Sequence, residues 1–357
     1  MEKQEYSVIG VMSGTSLDGI DLVYCTISVK EKWDFKIHAS ETAPYSGEWQ
    51  EKLSQAVNFQ QEELESLNQD YTEFLAEVIN TFISRNDIVN LDAVCSHGHT
   101  IKHEPDKGFT LQIGNLEKLA HLIKQTLVCD FRVQDVALGG EGAPLVPVGD
   151  ALFFSDYKYC LNLGGFANIS THVNAERVAY DISPVNTVLN YFSRKEGHAY
   201  DENGNLARSG EMNQDLLEKL NKLDFYHKQP PKSLGIEWVN TKVIPLIEKA
   251  NLETPAILNT FCLHVAYQIS ECLDNQQSSK VLITGGGAYN DFLIETLEQQ
   301  SNCSFIIPKK EIVEFKEALI FALLGVLKLR EEVNALKSVT GAEKDHSSGK
   351  VFNASKK

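Results

Sequence analysis

Residues 8–21 read Val-Ile-Gly-Val-Met-Ser-Gly-Thr-Ser-Leu-Asp-Gly-Ile-Asp and join two apolar segments through a turn of small polar residues. The pattern predicts buried strands over residues 6–12 and 21–28. The N–H groups and hydroxyls of the turn can bind phosphate oxygens, since Gly14 and Gly19 let the backbone approach an anion closely. An ordinary polar hairpin turn is the alternative that these residues alone leave open.

The chain shows one order of predicted elements twice: three strands, helices, a strand, a helix and a strand. In the first half the strands are predicted at 6–12, 21–28, 34–42, 91–95 and 126–130. In the second half they are predicted at 157–163, 166–173, 178–181, 280–284 and 303–307. We therefore expect two α/β halves, each a mixed sheet flanked by helices, with a ligand cleft between them.

The composition limits the class of protein. The chain has 357 residues, which favours two domains over one. Its formal net charge of −16 argues against a nucleic-acid surface, so we expect no nucleic-acid partner. No apolar run approaches the ~20 residues of a membrane span, and the polar residues before the first strand do not resemble a signal peptide. We expect a cytoplasmic protein without a membrane partner.

The seven cysteines lie mostly inside apolar segments, and the sequence contains no Cys-x-x-Cys. They indicate reduced core residues rather than disulfides or zinc ligands, so no metal-ligand set is predicted. Residues 343–357 are rich in Lys, Ser and Gly, and this composition predicts a loose tail.

Three glycine-rich turns follow predicted strands, at residues 13–16, at Gly164-Gly165 and at Gly285-Gly286-Gly287. Two such turns can bind phosphates, and the third would let a nucleotide lie against the backbone. A plain strand-to-helix turn is the alternative for residues 285–287. The Walker P-loop pattern is absent from the sequence, so a P-loop NTPase is not predicted.

Four side chains near strand ends are candidates for chemistry. Asp181 precedes Ile-Ser-Pro-Val-Asn, where a helix begins, and its carboxylate can accept a proton from water or instead cap the helix. Arg132 can bind a carboxylate or phosphate, or form a surface ion pair. His97 and His99 flank a glycine and can hydrogen-bond a sugar or be structural.

Longer motifs cover most of the chain. They are Met-Ser-Gly-Thr-Ser-Leu-Asp-Gly-Ile-Asp (12–21), Ser-His-Gly-His-Thr (96–100), Leu-Gln-Ile-Gly-Asn (111–115), Asp-Phe-Arg-Val-Gln-Asp-Val-Ala (130–137), Gly-Gly-Glu-Gly-Ala-Pro-Leu-Val-Pro (139–147), Asn-Leu-Gly-Gly-Phe-Ala-Asn (162–168), Thr-Gly-Gly-Gly-Ala-Tyr-Asn (284–290) and Val-Thr-Gly-Ala (339–342). Together these motifs resemble those of the anhydro-N-acetylmuramic acid kinase family.

The resemblance implies a fold. The family belongs to the sugar-kinase/Hsp70/actin superfamily, whose duplicated ribonuclease-H-like halves enclose ATP. The implied fold class is α/β, with duplicated ribonuclease-H-like (actin-like ATPase) domains, mixed sheets flanked by helices, and an ATP cleft between them. We expect an N-terminal domain over 1–132, joined by part of 331–357, and a C-terminal domain over 133–330.

The resemblance also implies a reaction. A kinase of this family uses water to open the 1,6-anhydro ring of 1,6-anhydro-N-acetylmuramate and phosphorylates O6 with ATP and Mg²⁺. The product is N-acetylmuramate 6-phosphate, in peptidoglycan recycling and amino-sugar catabolism. The family's catalytic aspartate falls on Asp181, which would take a proton from the water that attacks the anomeric carbon.

Further site residues follow from the same resemblance. The ATP-phosphate segment matches Gly14, Thr15, Ser16, Leu17, Asp18, Gly19, Ile20 and Asp21, and we expect Gly164, Gly165, Gly285, Gly286 and Gly287 to bind the nucleotide as well. Arg132 and Glu317 match positions that contact the sugar, and we expect His97, Gly98 and Asn186 to bind the substrate too. Proteins of this size and class often form symmetric dimers, so a homodimer is expected.

The chain departs from the family pattern in three places. Ser183 replaces the flexible glycine of Asp-Thr-Gly-Pro-Gly/Ala-Asn, which here reads Asp-Ile-Ser-Pro-Val-Asn over 181–186. His99 replaces the Gln of Ser-His-Gly-Gln-Thr and would add pH dependence. Met12 lies where an Asp often leads the first phosphate loop of the superfamily.

Two other functions remain open at this point. A conventional hexose kinase of the same superfamily would phosphorylate free N-acetylmuramate or N-acetylglucosamine. A chaperone-like ATP switch would hydrolyse ATP without sugar, but the sequence shows no separate peptide-binding domain after the two halves.

Overall fold

The computed structural model describes residues 3–14 and 16–354. The strands are β1 (Glu5–Ser13), β2 (Gly19–Val29), β3 (Trp33–Pro44), β4 (Ala93–Glu104), β5 (Phe109–Ile113), β6 (Leu127–Cys129), β7 (Tyr159–Leu163), β8 (Phe166–Val173), β9 (Glu176–Pro184), β10 (Lys280–Thr284), β11 (Ser304–Ile306) and β12 (Lys350–Phe352).

The helices are α1 (Gly47–Gln55), α2 (Gln61–Arg85), α3 (Glu117–Ile123), α4 (Val133–Ala137), α5 (Val146–Phe153), α6 (Asn186–Lys195), α7 (Asn205–Ser209), α8 (Gln214–Asn221), α9 (Ile236–Trp238), α10 (Ile244–Glu248), α11 (Thr254–Ser270), α12 (Asp291–Gln300), α13 (Lys310–Leu329) and α14 (Lys337–Thr340). A π-helical turn, Val239–Val243, joins α9 to α10.

The chain divides into two compact units. Unit 1 comprises Met1–Phe153 and Phe315–Lys357, and unit 2 comprises Phe154–Glu314. The sequence places the boundaries after residues 132 and 330 instead. The two divisions differ because α5 and the part of α13 from Phe315 onward bury apolar side chains in the core of unit 1.

The two units share one sheet topology. In unit 1 the strands lie in the order β12-β6-β4-β1-β2-β3, with β5 paired to β4; in unit 2 the order is β11-β10-β7-β8-β9. In unit 1, β1, β2 and β3 are antiparallel neighbours, and β4 and β6 run parallel to β1. In unit 2, β7, β8 and β9 are antiparallel neighbours, and β10 and β11 run parallel to β7. This confirms the duplicated α/β halves with mixed sheets, whereas the ATP cleft between them stays a prediction.

Two strands continue further along the chain than the sequence predicts. β4 does not end at residue 95 but continues to Glu104, because its second half pairs with β5, a strand absent from the prediction. β9 continues past Asp181 to Pro184, because Phe166 pairs with Pro184 on the neighbouring strand.

The predicted loose tail is wrong over residues 343–354. β12 pairs with β6, and the side chains of His346 and Ser348 are buried. Hydrogen bonds that the composition does not show hold the segment, such as those from Asn334 Nδ2 to the carbonyls of Leu324 and Ser348.

Helix α13 forms the centre of one of the two core clusters of unit 1, with buried apolar residues over most of its length from Phe315 to Leu327. It approaches β1 so closely that a Cβ on Gly10 would lie 1.9 Å from the carbonyl oxygen of Ala318. Further along the helix, a Cβ on Gly325 would lie 2.1 Å from Sγ of Cys95 on the neighbouring strand β4. Glycine at both positions is therefore a packing requirement.

The cysteines are free thiols among the described residues, and all but the half-buried Cys272 are buried. This agrees with the expectation of core cysteines. In the part of the chain that the structure describes, no helix has both the length and the apolar character needed to cross a membrane.

We predict that Gly10→Ala lowers the free energy of unfolding of unit 1 by at least about 2 kcal/mol, because the new methyl group overlaps backbone that cannot move aside. Urea unfolding monitored by circular dichroism measures the change. Gly47→Ala is the matched control, since a Cβ there meets nothing within 4 Å and Ala favours the helix that begins at this residue. Equal unfolding midpoints for the two variants would contradict this packing argument.

Candidate active site

The turn between β1 and β2 is shorter than predicted, because Ser13 belongs to β1 and Gly19 and Ile20 already belong to β2. Leu17 adopts a left-handed backbone with φ of 58°, a conformation that costs a non-glycine residue about 1 kcal/mol. Neighbouring groups hold it: Gln50 Nε2 donates to the Leu17 carbonyl at 3.0 Å. Such strain is typical of ligand-binding turns.

The carboxylates of the turn and of the start of β2 accept hydrogen bonds from neighbouring hydroxyl groups. Ser16 Oγ donates to Asp18 Oδ1 at 2.6 Å on the exposed side of the turn, and Thr42 Oγ1 donates to Asp21 Oδ1 at 2.6 Å. Gly14 is half-buried, and a Cβ there would meet only Ser16 Oγ at 3.6 Å. Thr15, also predicted to bind phosphate, lies outside the described residues.

A β-bulge in β4 directs His97 and His99 to different partners. Val11 pairs with Ser96 but Ser13 pairs with His99, so β4 has one more residue than β1 over this stretch. The extra length is taken up at Gly98, whose φ is 75° and whose Cβ would lie 2.5 Å from the Ile113 carbonyl oxygen. Only glycine fits this position.

His97 is buried and holds Arg132. Arg132 Nε donates to His97 Nε2 at 2.8 Å, and His97 Nδ1 lies 2.9 Å from the Gly98 carbonyl oxygen. Since Nε2 accepts a hydrogen bond from a guanidinium, the imidazole is neutral with its own proton on Nδ1. Burial, followed by the charge of Arg132, holds the pKa of His97 well below its ordinary value.

His99 belongs to a second buried chain of polar groups. Ser13 Oγ lies 2.8 Å from His99 Nδ1 and 2.7 Å from the Tyr45 hydroxyl, which lies 2.7 Å from the Tyr71 hydroxyl. Burial lowers the pKa of His99 to about 4 and raises that of Tyr45 to about 12. The pH dependence expected of His99 therefore does not arise near neutral pH.

The loop after Arg132 is braced from within unit 1. Arg132 Nη1 donates to the Gly142 carbonyl at 2.6 Å, and Gly142 N donates to Asp135 Oδ2 at 2.7 Å. Asp135 is fully buried, and Thr340 Oγ1 donates to its other oxygen at 2.8 Å. The Val-Thr-Gly-Ala motif thus fixes the segment that carries Arg132.

Glu317 lies near Arg132 on the first turns of α13. Its side chain reaches solvent, yet surrounding protein atoms desolvate it enough to raise its pKa, against the opposing charges of Arg132 and Lys316. Burial lowers the pKa of Arg132 to about 10, while Glu317 and Asp135 favour its charged form. The neighbouring Lys316 forms a buried ion pair with Asp150, with Nζ and Oδ1 3.2 Å apart.

Asp181 lies in unit 2 beside a second bulge. Ala167 pairs with Ser183 and Asn168 with Asp181, which leaves Ile182 as the extra residue. Leu234 N donates to Asp181 Oδ2 at 2.8 Å, and Asp181 N donates to the Lys232 carbonyl at 3.0 Å. Asp181 is half-buried; burial raises its pKa, and the Leu234 amide acts in the opposite direction.

The two glycine turns of unit 2 lie against the start of α6. Asn186 Nδ2 donates to the Leu163 carbonyl at 3.1 Å, and Thr187 Oγ1 donates to the Gly165 carbonyl at 2.9 Å. Gly285 has φ of 82°, and its Cβ would lie 2.6 Å from Asn162 Oδ1. The turns 164–165 and 285–287 therefore both lie close to Asn186.

A pocket of about 420 Å³ opens within unit 2 beside these turns. Its walls include Asn186, Leu189, Tyr200, Gly286, Tyr289 and the segment 201–203. A Cβ on Gly286 would meet only Asn186 Nδ2, at 3.7 Å, so glycine leaves this part of the wall open. The volume and the mixture of apolar and amide groups are typical of a site for a small organic molecule.

Comparison with known proteins identifies the family. The family model described as anhydro-N-acetylmuramic acid kinase matches residues 6–354. The chain belongs to this family. The resemblance inferred from the motifs is confirmed.

Relatives with this name match the chain over almost its full length. The anhydro-N-acetylmuramic acid kinase of Sulfurimonas denitrificans is 31% identical, over 96% of this chain and 98% of the relative. That of Acinetobacter baylyi is 32% identical, over 94% and 96%. Among solved structures, the activator of the 2-hydroxyisocaproyl-CoA dehydratase from Clostridium difficile with bound ADPNP has a TM-score of 0.46, at 13% identity over 91% of this chain and 96% of that chain.

The structure brings the predicted residues of this kinase-family chain into two groups. In unit 1 these are His97, Gly98, Arg132 and Glu317. In unit 2 Asn186 and the glycine turns line or adjoin the pocket, while Asp181 lies on β9. Sequence reasoning noted Asp135 but gave it no role, and it missed Tyr226 and the 232–234 segment, because their partners are distant in the chain.

We predict that Thr340→Val lowers the free energy of unfolding by about 2 kcal/mol, because the buried Asp135 loses a donor while the side-chain volume is unchanged. Chemical denaturation of the purified variant measures the effect. Thr72→Val is the control: this threonine is also fully buried, but its hydroxyl donates only to the carbonyl of Asn68 in its own helix. A Thr340→Val protein as stable as Thr72→Val would refute the bracing role of the C-terminal motif.

Proposed function

We propose that the protein uses ATP and water to convert 1,6-anhydro-N-acetylmuramate to N-acetylmuramate 6-phosphate. The observation that carries the proposal is the match to the anhydro-N-acetylmuramic acid kinase family over residues 6–354. As a member of a kinase family, the protein is a phosphotransferase. The local geometry in both units supports the assignment of roles that follows.

Asp181 is the proposed general base. One carboxylate oxygen is held by the Leu234 amide, and among the described residues the other has no hydrogen-bond partner, so it is free to accept a proton from water. The water oxygen attacks the anomeric carbon and one of its protons passes to Asp181. The bond from that carbon to O6 breaks, and O6 attacks the γ-phosphorus of ATP, releasing ADP.

Arg132, His97, Gly98 and Glu317 are the proposed sugar contacts in unit 1. The guanidinium is fixed by two hydrogen bonds, to His97 and to the Gly142 carbonyl, and so presents its remaining N–H groups in a defined direction. Substrate bears a lactyl carboxylate and hydroxyls, which suit a guanidinium and a solvent-accessible carboxylate respectively. Asn186 is the proposed polar contact from unit 2.

ATP is proposed to bind through the three glycine turns and the pocket of unit 2. The open wall at Gly286 accommodates a flat group against the backbone, and Tyr289 and Leu189 supply apolar contacts for a base. The backbone N–H groups of the turn that precedes Gly19, and those of Gly164 and Gly165, would bind phosphate oxygens. These turns offer neutral donors, which suit an anion in a protein of strong negative charge.

Mg²⁺ is proposed to enter as its complex with ATP. Among the described residues no three His, Cys, Asp or Glu side chains lie together as a metal-binding group. Phosphate oxygens and water would therefore supply most ligands, with Asp18, which is exposed, as the nearest protein carboxylate on the phosphate turn. When bound, the ion neutralises charge that develops on the transferred phosphoryl group.

The setting proposed for this reaction is the recycling of cell-wall sugars in the cytoplasm by a homodimer. Analytical ultracentrifugation of the purified protein gives its oligomeric state directly.

We predict that Asp181→Asn lowers kcat for the anhydro sugar by a factor of about 10²–10⁴, because the amide cannot take the proton from water. An enzyme-coupled assay of ADP formation, with and without the sugar, measures the rate. The wild-type rate should fall on the acid side as Asp181 becomes protonated. Since burial raises the pKa of Asp181, this fall should begin at a higher pH than for an ordinary aspartate.

Asp215→Asn is the matched control, because Asp215 is an exposed helix residue paired with Lys219 at 2.6 Å and should leave kcat unchanged. Substantial turnover by Asp181→Asn, with the control also active, would remove Asp181 from the role of base.

The combined reaction is tested by mass spectrometry of the product formed in ¹⁸O-labelled water. We expect one ¹⁸O at the anomeric hydroxyl and one added phosphoryl group in the same molecule, because water rather than phosphate attacks that carbon. Phosphorylation of free N-acetylmuramate or N-acetylglucosamine at a comparable kcat/KM, without use of the anhydro sugar, would favour a conventional hexose kinase instead.

A further inference from the structure

Residues 224–235 of unit 2 contact β9 at two points on either side of the bulge at Ile182. At one point the backbone of Lys232 and Leu234 pairs with Asp181, through its N–H and its carboxylate. At the other, the Tyr226 hydroxyl lies 3.3 Å from Ser183 Oγ. The segment therefore contacts the residue before the bulge and the residue after it.

Tyr226 is itself anchored in the core of unit 2. Its hydroxyl lies 2.8 Å from Nε2 of His264, a fully buried residue in the middle of α11. Its ring packs edge-on against His264, with centroids 4.8 Å apart, and against Trp238, with centroids 6.0 Å apart. Tyr226 thus links the segment 224–235 to the longest buried helix of this unit.

The direction of each hydrogen bond in this network follows from its outermost member. Asn221 Oδ1 receives Gln268 Nε2 at 3.1 Å and lies 2.6 Å from His264 Nδ1, so it is an acceptor and Nδ1 carries the proton. His264 Nε2 is then an acceptor, and the Tyr226 hydroxyl donates to it. The Tyr226 oxygen therefore accepts from Ser183, whose single hydroxyl proton is shared between the Pro184 carbonyl at 3.0 Å and the Tyr226 oxygen at 3.3 Å.

This network holds no charge near neutral pH. Burial lowers the pKa of His264 to about 3 and raises the pKa of Tyr226 above its ordinary value. Asp181 itself is influenced by burial and by the Leu234 amide, with no charged side chain among the causes of its shift. The ammonium of Lys232 lies 4.8 Å from the Phe225 ring centroid, directed to that ring. The network can therefore orient Asp181 without competing for its proton.

We propose that Tyr226 is a positioning residue for the catalytic base: through Ser183 and the segment 232–234 it holds the carboxylate of Asp181 in one orientation. Ser183 takes part because it replaces the glycine of the family motif, and its hydroxyl reaches Tyr226 where a glycine has no side chain. The proposal rests on the proposed function for its kinetic test, and on the hydrogen bond between Leu234 and Asp181 for a test that needs no turnover.

The kinetic test compares Tyr226→Phe with wild type. Loss of the hydroxyl frees the segment, so we expect kcat to fall about tenfold while KM for ATP changes less than about twofold. As the Leu234 amide leaves the carboxylate, the acid limb of the kcat profile should shift to higher pH by about half a unit or more. Ser183→Ala, which keeps the Tyr226–His264 bond, should produce the same changes to a smaller extent and guards against misfolding of the first variant.

The second test measures hydrogen exchange of the Leu234 amide in the free protein by NMR or fragment-resolved mass spectrometry. We expect exchange to be about tenfold faster in Tyr226→Phe than in wild type. Tyr191→Phe is the control, because its exposed hydroxyl donates only to Glu248 on the surface and should change neither exchange nor kcat. If wild type shows no activity on the anhydro sugar but Leu234 exchange responds as expected, the proposed function fails and the positioning role stands.

Wild-type protection of Leu234 in both Tyr226→Phe and Ser183→Ala would overturn the proposal. So would a kcat loss in Tyr226→Phe that comes with an unchanged pH profile and a uniform rise in exchange throughout unit 2, since that is the pattern of general destabilisation.

Discussion

The contact of α13 with β1 and β4 is the packing constraint on which unit 1 depends. The helix backbone touches Gly10 on one strand, and Gly325 of the helix meets Cys95 on the next, so at each contact one of the two surfaces lacks a Cβ. This depth of approach brings Phe321 to 4.7 Å, between ring centroids, from His97. Glu317, one turn before Phe321, is brought to the side of Arg132. The placement of the charged groups thus follows from a close apolar contact.

Neutral polar groups orient the reactive charges in each unit. His97 holds Arg132 as an uncharged acceptor, and the chain from His99 to Tyr71 includes Ser13, just before the turn between β1 and β2, without titrating near pH 7. In unit 2 the network from Asn221 to Ser183 lies behind Asp181 in the same way. Fully satisfied networks of this kind rigidify their surroundings, because an unpaired buried polar group is costly. They also leave the protonation of Asp181 under local control.

Local patterns in the sequence predict most strands and turns. Contacts between residues that are distant in the chain leave no such pattern and are missed. Alternating apolar residues are enough to predict β1, β2 and β3, and the glycine runs mark the turns near Asn186. The extension of β4 is missed because Lys102 and His103 are polar, and only pairing with β5 shows that they continue the strand. The ordered C-terminal segment is missed because its bonds to Asp135 and Phe131 cross some 200 residues. Asp181 is found by its place in a motif, but its partner Leu234 carries no sequence signal.

The discontinuous make-up of unit 1 has a consequence for biosynthesis. β12 closes the edge of the first sheet against β6, and α13 fills its core, so the amino-terminal strands lack their complement until residue 352 has left the ribosome. Unit 2, which is continuous from Phe154 to Glu314, has all its strands earlier. The nascent chain therefore completes its second half first, against the usual amino-to-carboxyl order of domain folding. During that interval the apolar residues of the early strands that α13 covers in the finished fold remain without that cover.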